Sequence, residues 1–294
     1  MNNSTRNLKM KKLLIASTAL IATAGMANAD ITISGHAAAG YHSDLADGGA
    51  VAPDSGVYSN AGVDFAMSGT TDNGITFAAS ISGDAGTEVD TGDFEFDGAD
   101  GATFALGAVS MTGAFGTLTF DDGGIDNLYD DDLTSADVSY STTIGSMSLT
   151  IAVDANSAAD GTSATAGYTA GAMAFTATAS EVADGTSASL ALSYAVSDNL
   201  TVTAETDQAA GAESVQTIGA STTLNGFSLA ASSANDSTWD ASVGYTVSGI
   251  AITYATDEAS AWDATASMAL GGGATAHAGM NESDSVYAGV SLAF

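Results

Sequence analysis

Apolar and polar residues alternate with a period of two along nearly the whole chain after Ala29. Residues 285–294 (SVYAGVSLAF) show it best: Val286, Ala288, Val290, Leu292 and the terminal Phe294 share one face, and Tyr287, Gly289, Ser291 and Ala293 the other. That period belongs to a strand whose two faces meet different surroundings. Residues 239–248 repeat it, with Trp239, Ala241, Val243, Tyr245 and Val247 opposite Asp240, Ser242, Gly244, Thr246 and Ser248. Trp262-Asp263-Ala264 restarts the pattern 23 positions after Trp239-Asp240-Ala241, so the second half reads as a series of hairpins. Ser248-Gly249 and residues 271–273 supply their turns. The same rule groups Val57, Val63, Phe65 and Met67 early in the chain, and Leu190, Leu192, Tyr194 and Val196 later. A first strand at residues 31–42, eight hairpins and a last strand at 285–294 predict 18 strands. Parity slips near Gly107, and the two faces are least distinct over residues 214–224.

Alternation alone suits a soluble sandwich as well as a membrane barrel, and what accompanies it separates the two. The apolar faces hold no charge, whereas Asp64, Asp137, Asp154, Glu205, Asp240 and Asp263 occupy the opposite register. A charge facing lipid costs about 2–4 kcal/mol at the bilayer midplane. Tyr140, Tyr168, Tyr194 and Tyr245 fall shortly before tight turns, and Trp239 and Trp262 open strands after the opposite loops, as two interfacial girdles require. No apolar run after Ala29 approaches the roughly 18 residues of a spanning helix. The chain therefore reads as an all-β, antiparallel transmembrane β-barrel. Its inward residues are mostly Ser, Thr, Ala and Gly, too small to fill a cylinder roughly 30 Å across, which predicts a water-filled lumen.

The N-terminal segment has another role. Arg6, Lys9, Lys11 and Lys12 precede a short apolar run ending at Ala24, and Ala27-Asn28-Ala29 has the small-x-small form of a secretory cleavage site. Residues 1–29 are expected to be a signal peptide, with Met10 an alternative start, and residues 30–294 a single barrel domain. All four basic residues precede the cleavage site, so 35 acidic residues remain in the mature part without any Lys or Arg. Such a surface repels nucleic acid and attracts cations. With no Cys and a single Pro, Pro53, stability falls to backbone pairing and burial.

The loops that follow the first few hairpins are unequal. Residues 43–56, 84–101 and 121–136 form three long connections, whereas later ones on the same side shrink to a few residues, as at 236–238. With Phe115-Gly116-Thr117-Leu118-Thr119-Phe120 leading into the third, this order resembles the general outer-membrane porins of α-proteobacteria (Rhodobacter type) over essentially all of residues 30–294. The resemblance implies sixteen strands per barrel and a homotrimer in which the second long loop latches onto a neighbour. It also implies a third long loop folded inward to narrow the pore. Outer-membrane lipid and lipopolysaccharide are the implied surroundings. Phe294 is the implied signal for the barrel-assembly machinery. One departure stands out: family constrictions oppose an acidic loop with a wall of Arg, and this chain has no residue to build that wall.

The expected constriction is therefore the acidic half alone: Asp121, Asp122, Asp126, Asp130, Asp131 and Asp132. Wall charges are expected from Asp64, Asp137, Asp154, Glu205, Asp240 and Asp263, with His36 and His277 facing the same lumen. Asp121, Asp122, Asp126 and Asp130 are candidate ligands for Ca²⁺, which prefers carboxylate oxygens, although the spacing completes no EF-hand. His36 and His277 are separated by the intervening last strand, about 10 Å by strand spacing, which argues against a shared metal. No cofactor is required for passive diffusion. No Ser/His/Asp arrangement is recoverable and the Gly-rich stretches lack the strand-to-helix context of a phosphate loop, so an enzyme is not expected. The leading expectation is a cation-preferring diffusion channel for small hydrophilic solutes; the alternative is a secreted or surface-attached acidic structural β protein of the adhesin kind.

Overall fold

The computed structural model describes residues 28–47, 51–129, 134–155, 161–182 and 185–294. Its strands are β1 (Asn28–Asp47), β2 (Val51–Thr70), β3 (Thr76–Asp90), β4 (Glu95–Gly113), β5 (Gly116–Asp126) and β6 (Thr134–Ile144). They continue as β7 (Met147–Val153), β8 (Thr162–Ala170), β9 (Met173–Val182), β10 (Gly185–Ser197), β11 (Leu200–Gln208) and β12 (Val215–Leu224). The last six are β13 (Phe227–Ala234), β14 (Trp239–Val247), β15 (Ile250–Asp257), β16 (Trp262–Gly271), β17 (Ala274–Asn281) and β18 (Val286–Ala293). Each strand pairs antiparallel with its sequence neighbours, and β18 pairs antiparallel with β1, so the 18-stranded sheet closes into a barrel. The direct strand count holds; the sixteen strands implied by the resemblance are exceeded by one hairpin. At about 4.8 Å between strands and a tilt near 40°, the backbone cylinder is about 35 Å across.

The two registers separate as the alternation predicts. Ile33, Phe104, Leu106, Ile144 and Ile218 stand exposed on the outer wall, and Phe294 is 72% exposed there. The parity slip near Gly107 is a bulge: Ala79 pairs with Val109 but Ile81 with Leu106, so one extra residue of β4 is accommodated and both flanks keep their apolar side outward.

The two ends of the barrel differ. At one, most connections are two-residue turns; Asn225-Gly226 (φ 52°, 85°) and Ser248-Gly249 (φ 52°, 83°) adopt the left-handed pair that suits the twist of a hairpin. At the other, longer connections are stitched to their neighbours. Glu258 donates its N–H to Trp239 O (3.2 Å) while its carboxylate accepts the Trp239 N–H (3.0 Å). Glu282 does the same with Trp262, at 3.0 Å in both directions. In outer-membrane barrels the short turns are periplasmic and the longer loops extracellular.

Two of the expected long loops are extended hairpins. β1 and β2 have 20 residues each and β3 and β4 have 15 and 19, against roughly 9–11 needed to span a bilayer. Segment 43–56 is thus mostly strand, and segment 84–101 is strand apart from a turn at residues 91–94. Alternation is lost there because the ribbons leave the membrane and pack on themselves.

The seam between β18 and β1 is lined by glycine on its inner side. Tyr58 on β2 lies across both strands and its hydroxyl meets His277 Nε2 on β17 at 2.8 Å. A Cβ built on Gly289 would stand 2.0 Å from the Tyr58 hydroxyl oxygen and 2.8 Å from Ala39 O. Gly289→Ala should therefore lower stability by about 1–3 kcal/mol through overpacking. The check is the thermal midpoint for loss of heat-modifiable gel mobility; an unchanged midpoint would show that the Tyr58 bridge can move aside freely.

Candidate functional site

Beyond β5 the chain leaves the wall and enters the lumen. Asn127 is buried, and its Nδ2 donates to Ser180 Oγ (2.7 Å) while its Oδ1 accepts the Tyr129 N–H (2.9 Å). Leu128 donates its N–H to Ser163 Oγ (3.0 Å), and the Tyr129 hydroxyl donates to Asp207 (2.8 Å). Ser163, Ser180 and Asp207 share the lumen-facing register of β8, β9 and β11. The described start of the third connection, residues 127–129, is folded inward against that wall.

The expected carboxylates divide into three groups. Asp121 is half-buried in a stretch of β5 where regular pairing lapses between Phe120 and Ile125, and Asp122 and Asp126 are exposed beside it. Asp130, Asp131 and Asp132 lie outside the described residues. Among the described residues no group of three or more His or acidic side chains could hold a metal ion, Asp121, Asp122 and Asp126 included. Asp64, Glu205, Asp240 and Asp263 sit on the lumen face, with Asp240 directly across from Asp257 and Asp263 across from Asn281. Asp154 lies just past the end of β7 and holds the following loop closed through its N–H to Gly161 O (3.0 Å). Asp137 works as a clamp: one oxygen accepts the Gly123 N–H (2.9 Å) and the other the Ala155 N–H (2.7 Å), tying the irregular part of β5 to the segment after β7.

A second insertion faces the first. The turn between β3 and β4 brings Phe94 onto Tyr287 (ring centroids 5.1 Å) and Phe96 onto His42 (4.3 Å, near-parallel). The Tyr287 hydroxyl donates to Thr91 O (3.0 Å). Glu95 and Phe96 also pair parallel with Ala46 and Asp47, which carries the hairpin back over β2 onto β1. Leu45, Tyr58, Val89, Phe94 and Tyr287 thereby form a small buried core inside the barrel mouth. The apolar tip of this segment packs on its own wall. Strands β8 and β9 are nine positions from β17 and β18 in a ring of eighteen, so the two insertions approach from opposite sides. Asp93, Glu95 and Asp97 are exposed on the hairpin, and Asp122 and Asp126 are exposed on the end of β5 that leads into the third connection.

The three histidines stand in separate settings. His36 Nε2 lies 3.1 Å from Asp84 Oδ1, His277 bonds Tyr58, and His42 is buried against Phe96. Sequence reasoning missed Asn127, Tyr129, Asp207 and Phe94. The available signal was Asn127-Leu128-Tyr129, an apolar and amide interruption of an otherwise acidic run.

A closed barrel with an apolar outer wall, unequal ends and an inward third loop is the architecture of a channel. The family model for Gram-negative porins matches residues 16–293. This chain belongs to the Gram-negative porin family. Among solved structures it is similar to the porin of Rhodopseudomonas blastica. A variant of that porin altered at three positions and another altered at two each share 13% identity with it at a TM-score of 0.53, covering 90% of this chain and 100% of theirs. At that identity the likeness is one of fold. No curated protein matches the sequence. As a porin, the protein resides in the Gram-negative outer membrane. The exposed apolar belt suits lipid there and disfavours a soluble structural β protein.

Two outcomes follow from this geometry. Tyr129→Phe removes a hydrogen bond to a charged acceptor, a loss of about 1.5–3 kcal/mol to the loop's attachment. Single-channel records should then show partial closures about ten- to a hundredfold more often, at about 1.36 kcal/mol per factor of ten, with the thermal midpoint of the barrel unchanged; identical records would mean that Asn127 and Leu128 hold the loop alone. In the outer loop before β14, Asp236 accepts the Thr238 hydroxyl (2.7 Å) and N–H (3.1 Å), and these bonds lower its pKa. A lowered carboxylate stabilises the loop above the ordinary Asp value and ceases to as pH falls through the lowered one. Thr238→Val should raise the Asp236 midpoint toward the ordinary value in a carboxyl NMR titration, and no movement would contradict the assignment.

Proposed function

We propose that the barrel is a passive, cation-preferring diffusion channel for small hydrophilic solutes and ions. Support comes from the sign of the fixed charge. The part of the chain after Ala29 has no Lys or Arg, and its lumen-facing charges, such as Asp64, Glu205, Asp207 and Asp240, are carboxylates. The third connection and the hairpin form the narrowest passage in this reading, with Asp121, Asp122 and Asp126 on the part of β5 that leads into the first and Asp93, Glu95 and Asp97 on the second. Opposed jaws of one sign make no transverse field; they raise the local cation concentration and exclude anions. Diffusion through this filter needs no cofactor and no covalent step.

The remaining expectations join the same reading. Cleavage after Ala29 leaves Asp30 paired with Ser68 and the rest of β1 in register with β2. Phe294 is the tag for the assembly machinery, and its exposure on the outer wall suits recognition from outside. A homotrimer has to form through the outer wall, since the hairpin tip is engaged in its own barrel.

A reversal potential in a KCl gradient tests the sign of selectivity, and anion preference would overturn the proposal. Replacing Asp121, Asp122, Asp126, Asp130, Asp131 and Asp132 with Asn should reduce cation selectivity at 0.01 M salt, where the screening length is about 30 Å, and leave conductance at 1 M, where it is about 3 Å, nearly unchanged. Wild-type selectivity at every salt concentration would remove the third loop from the filter and leave the hairpin and wall acids.

A further inference from the structure

The acids are distributed unevenly along the barrel axis. At the short-turn end, the described acidic residues are Asp30, Asp72 and Asp198; Glu205 sits five residues past the start of β11 and Asp64 six residues from the end of β2. The opposite end holds the two insertions, the clamp Asp137, the wall acids Asp240, Asp257 and Asp263, and the loop stitches Glu258 and Glu282. Below them the wall is uncharged and hydroxylated over several strands. Thr201, Ser221, Thr223, Ser228, Ser242 and Thr253 line a recess of about 360 Å³ whose one acid is Asp198. The lumen is therefore two resistances in series, an acidic outer half and a nearly neutral inner half.

We infer that this porin rectifies: it conducts better when cations are driven from the long-loop end toward the short-turn end than in the reverse direction. The inference rests on the cation-preferring reading and adds a direction to it. In the acidic half, cations carry nearly all of the current; in the neutral half both ions share it. Under forward drive, cations reach the boundary faster than the neutral half removes them, and anions arriving from the other side are turned back. Salt accumulates at the boundary and conductance rises. Under reverse drive the neutral half supplies too few cations and draws anions away, so the boundary is depleted and conductance falls. Both effects need a screening length comparable to the lumen radius, which holds at 0.01 M and fails at 1 M.

The test is the current–voltage curve of single channels in symmetric KCl. Orientation is fixed with Ser260→Cys, in an exposed loop at the long-loop end of a chain that has no Cys, by adding a bulky membrane-impermeant thiol reagent to one chamber. The expected ratio of forward to reverse current at equal voltages is about 1.5 or more at 0.01 M and falls to about 1 at 1 M. Thr201→Asp, Ser221→Asp and Thr253→Asp together extend acidity down the neutral wall; they should bring the low-salt ratio to about 1 while cation selectivity is kept or increased. A symmetric wild-type curve at 0.01 M, a ratio of opposite sense, or rectification that persists at 1 M overturns the inference. If the triple variant does not insert, the salt dependence of the wild-type ratio decides alone. Reversal potentials in a gradient read selectivity separately, so a cation-selective but symmetric channel would refute the direction and spare the proposed function.

Discussion

Every peptide group that spans the bilayer core needs an internal partner, because lipid offers none and each unpaired group costs several kcal/mol. Among the described residues no helix is long and apolar enough to span, so the first and last strands have to meet. β1 and β18 meet over eight residue pairs from His36↔Ala293 to Ser43↔Val286. Gly35 and Phe294 extend the contact with a reciprocal pair of backbone bonds at 2.8 and 2.9 Å. The composition of the inner face along that seam follows from closure. Gly40 and Gly289 leave the wall flat enough for Tyr58 to reach across two strands to His277, so a side-chain bridge reinforces the joint that closes the ring.

Closure creates a cylinder far wider than its small inward residues fill, and the two insertions decide how much remains open. They are held by different forces. The β3–β4 hairpin is anchored by Leu45, Tyr58, Val89, Phe94 and Tyr287, and burying a large side chain is worth about 1.5–3 kcal/mol. Phe94 adopts a left-handed backbone (φ 59°), uncommon for a bulky residue, and its buried ring against Tyr287 offsets that strain. The third connection is held by hydrogen bonds from Asn127, Leu128 and Tyr129, each worth about 0.5–1.5 kcal/mol net, or somewhat more toward the Asp207 carboxylate. Apolar anchoring survives salt and pH changes; polar anchoring in a wet lumen competes with water. The hairpin is thus the fixed jaw and the third connection the adjustable one.

Most of the wall was legible in the sequence because a membrane barrel obeys one rule at every residue: apolar outward, polar or small inward. Trp239 to Val247, Trp262 to Leu270 and Val286 to Phe294 all sit where that rule puts them, and the bulge near Gly107 appeared as a break in parity. What escaped was everything that leaves the wall. Residues 84–101 read as a loop because Val89, Phe94 and Phe96 serve a core inside the lumen, a burial direction that alternation does not encode. Asp137 read as a wall charge because its residue type was visible and its two backbone partners, Gly123 and Ala155, were not. Asn127 and Tyr129 depend on Ser180 and Asp207, 53 and 78 residues away, a separation that no local pattern reports.

The absence of Lys and Arg after Ala29 governs how these acids are satisfied. In most proteins a carboxylate can take a guanidinium or ammonium partner; here the described residues contain one close carboxylate–cation contact, between His36 and Asp84, and it is ionic only when His36 is protonated. The donors left in quantity are backbone N–H groups. Asp137 takes two of them, Asp90 that of Gly92 (2.7 Å), Asp257 that of Ala261 (2.9 Å), and Glu258 and Glu282 the first N–H of the neighbouring strand. A hydrogen bond of this kind fixes the carboxylate without neutralising its charge. Structural use of the acids therefore leaves their field intact. Because the free N–H groups lie where ribbons turn, at the long-loop end, the same backbone chemistry that orders the outer rim concentrates negative charge there.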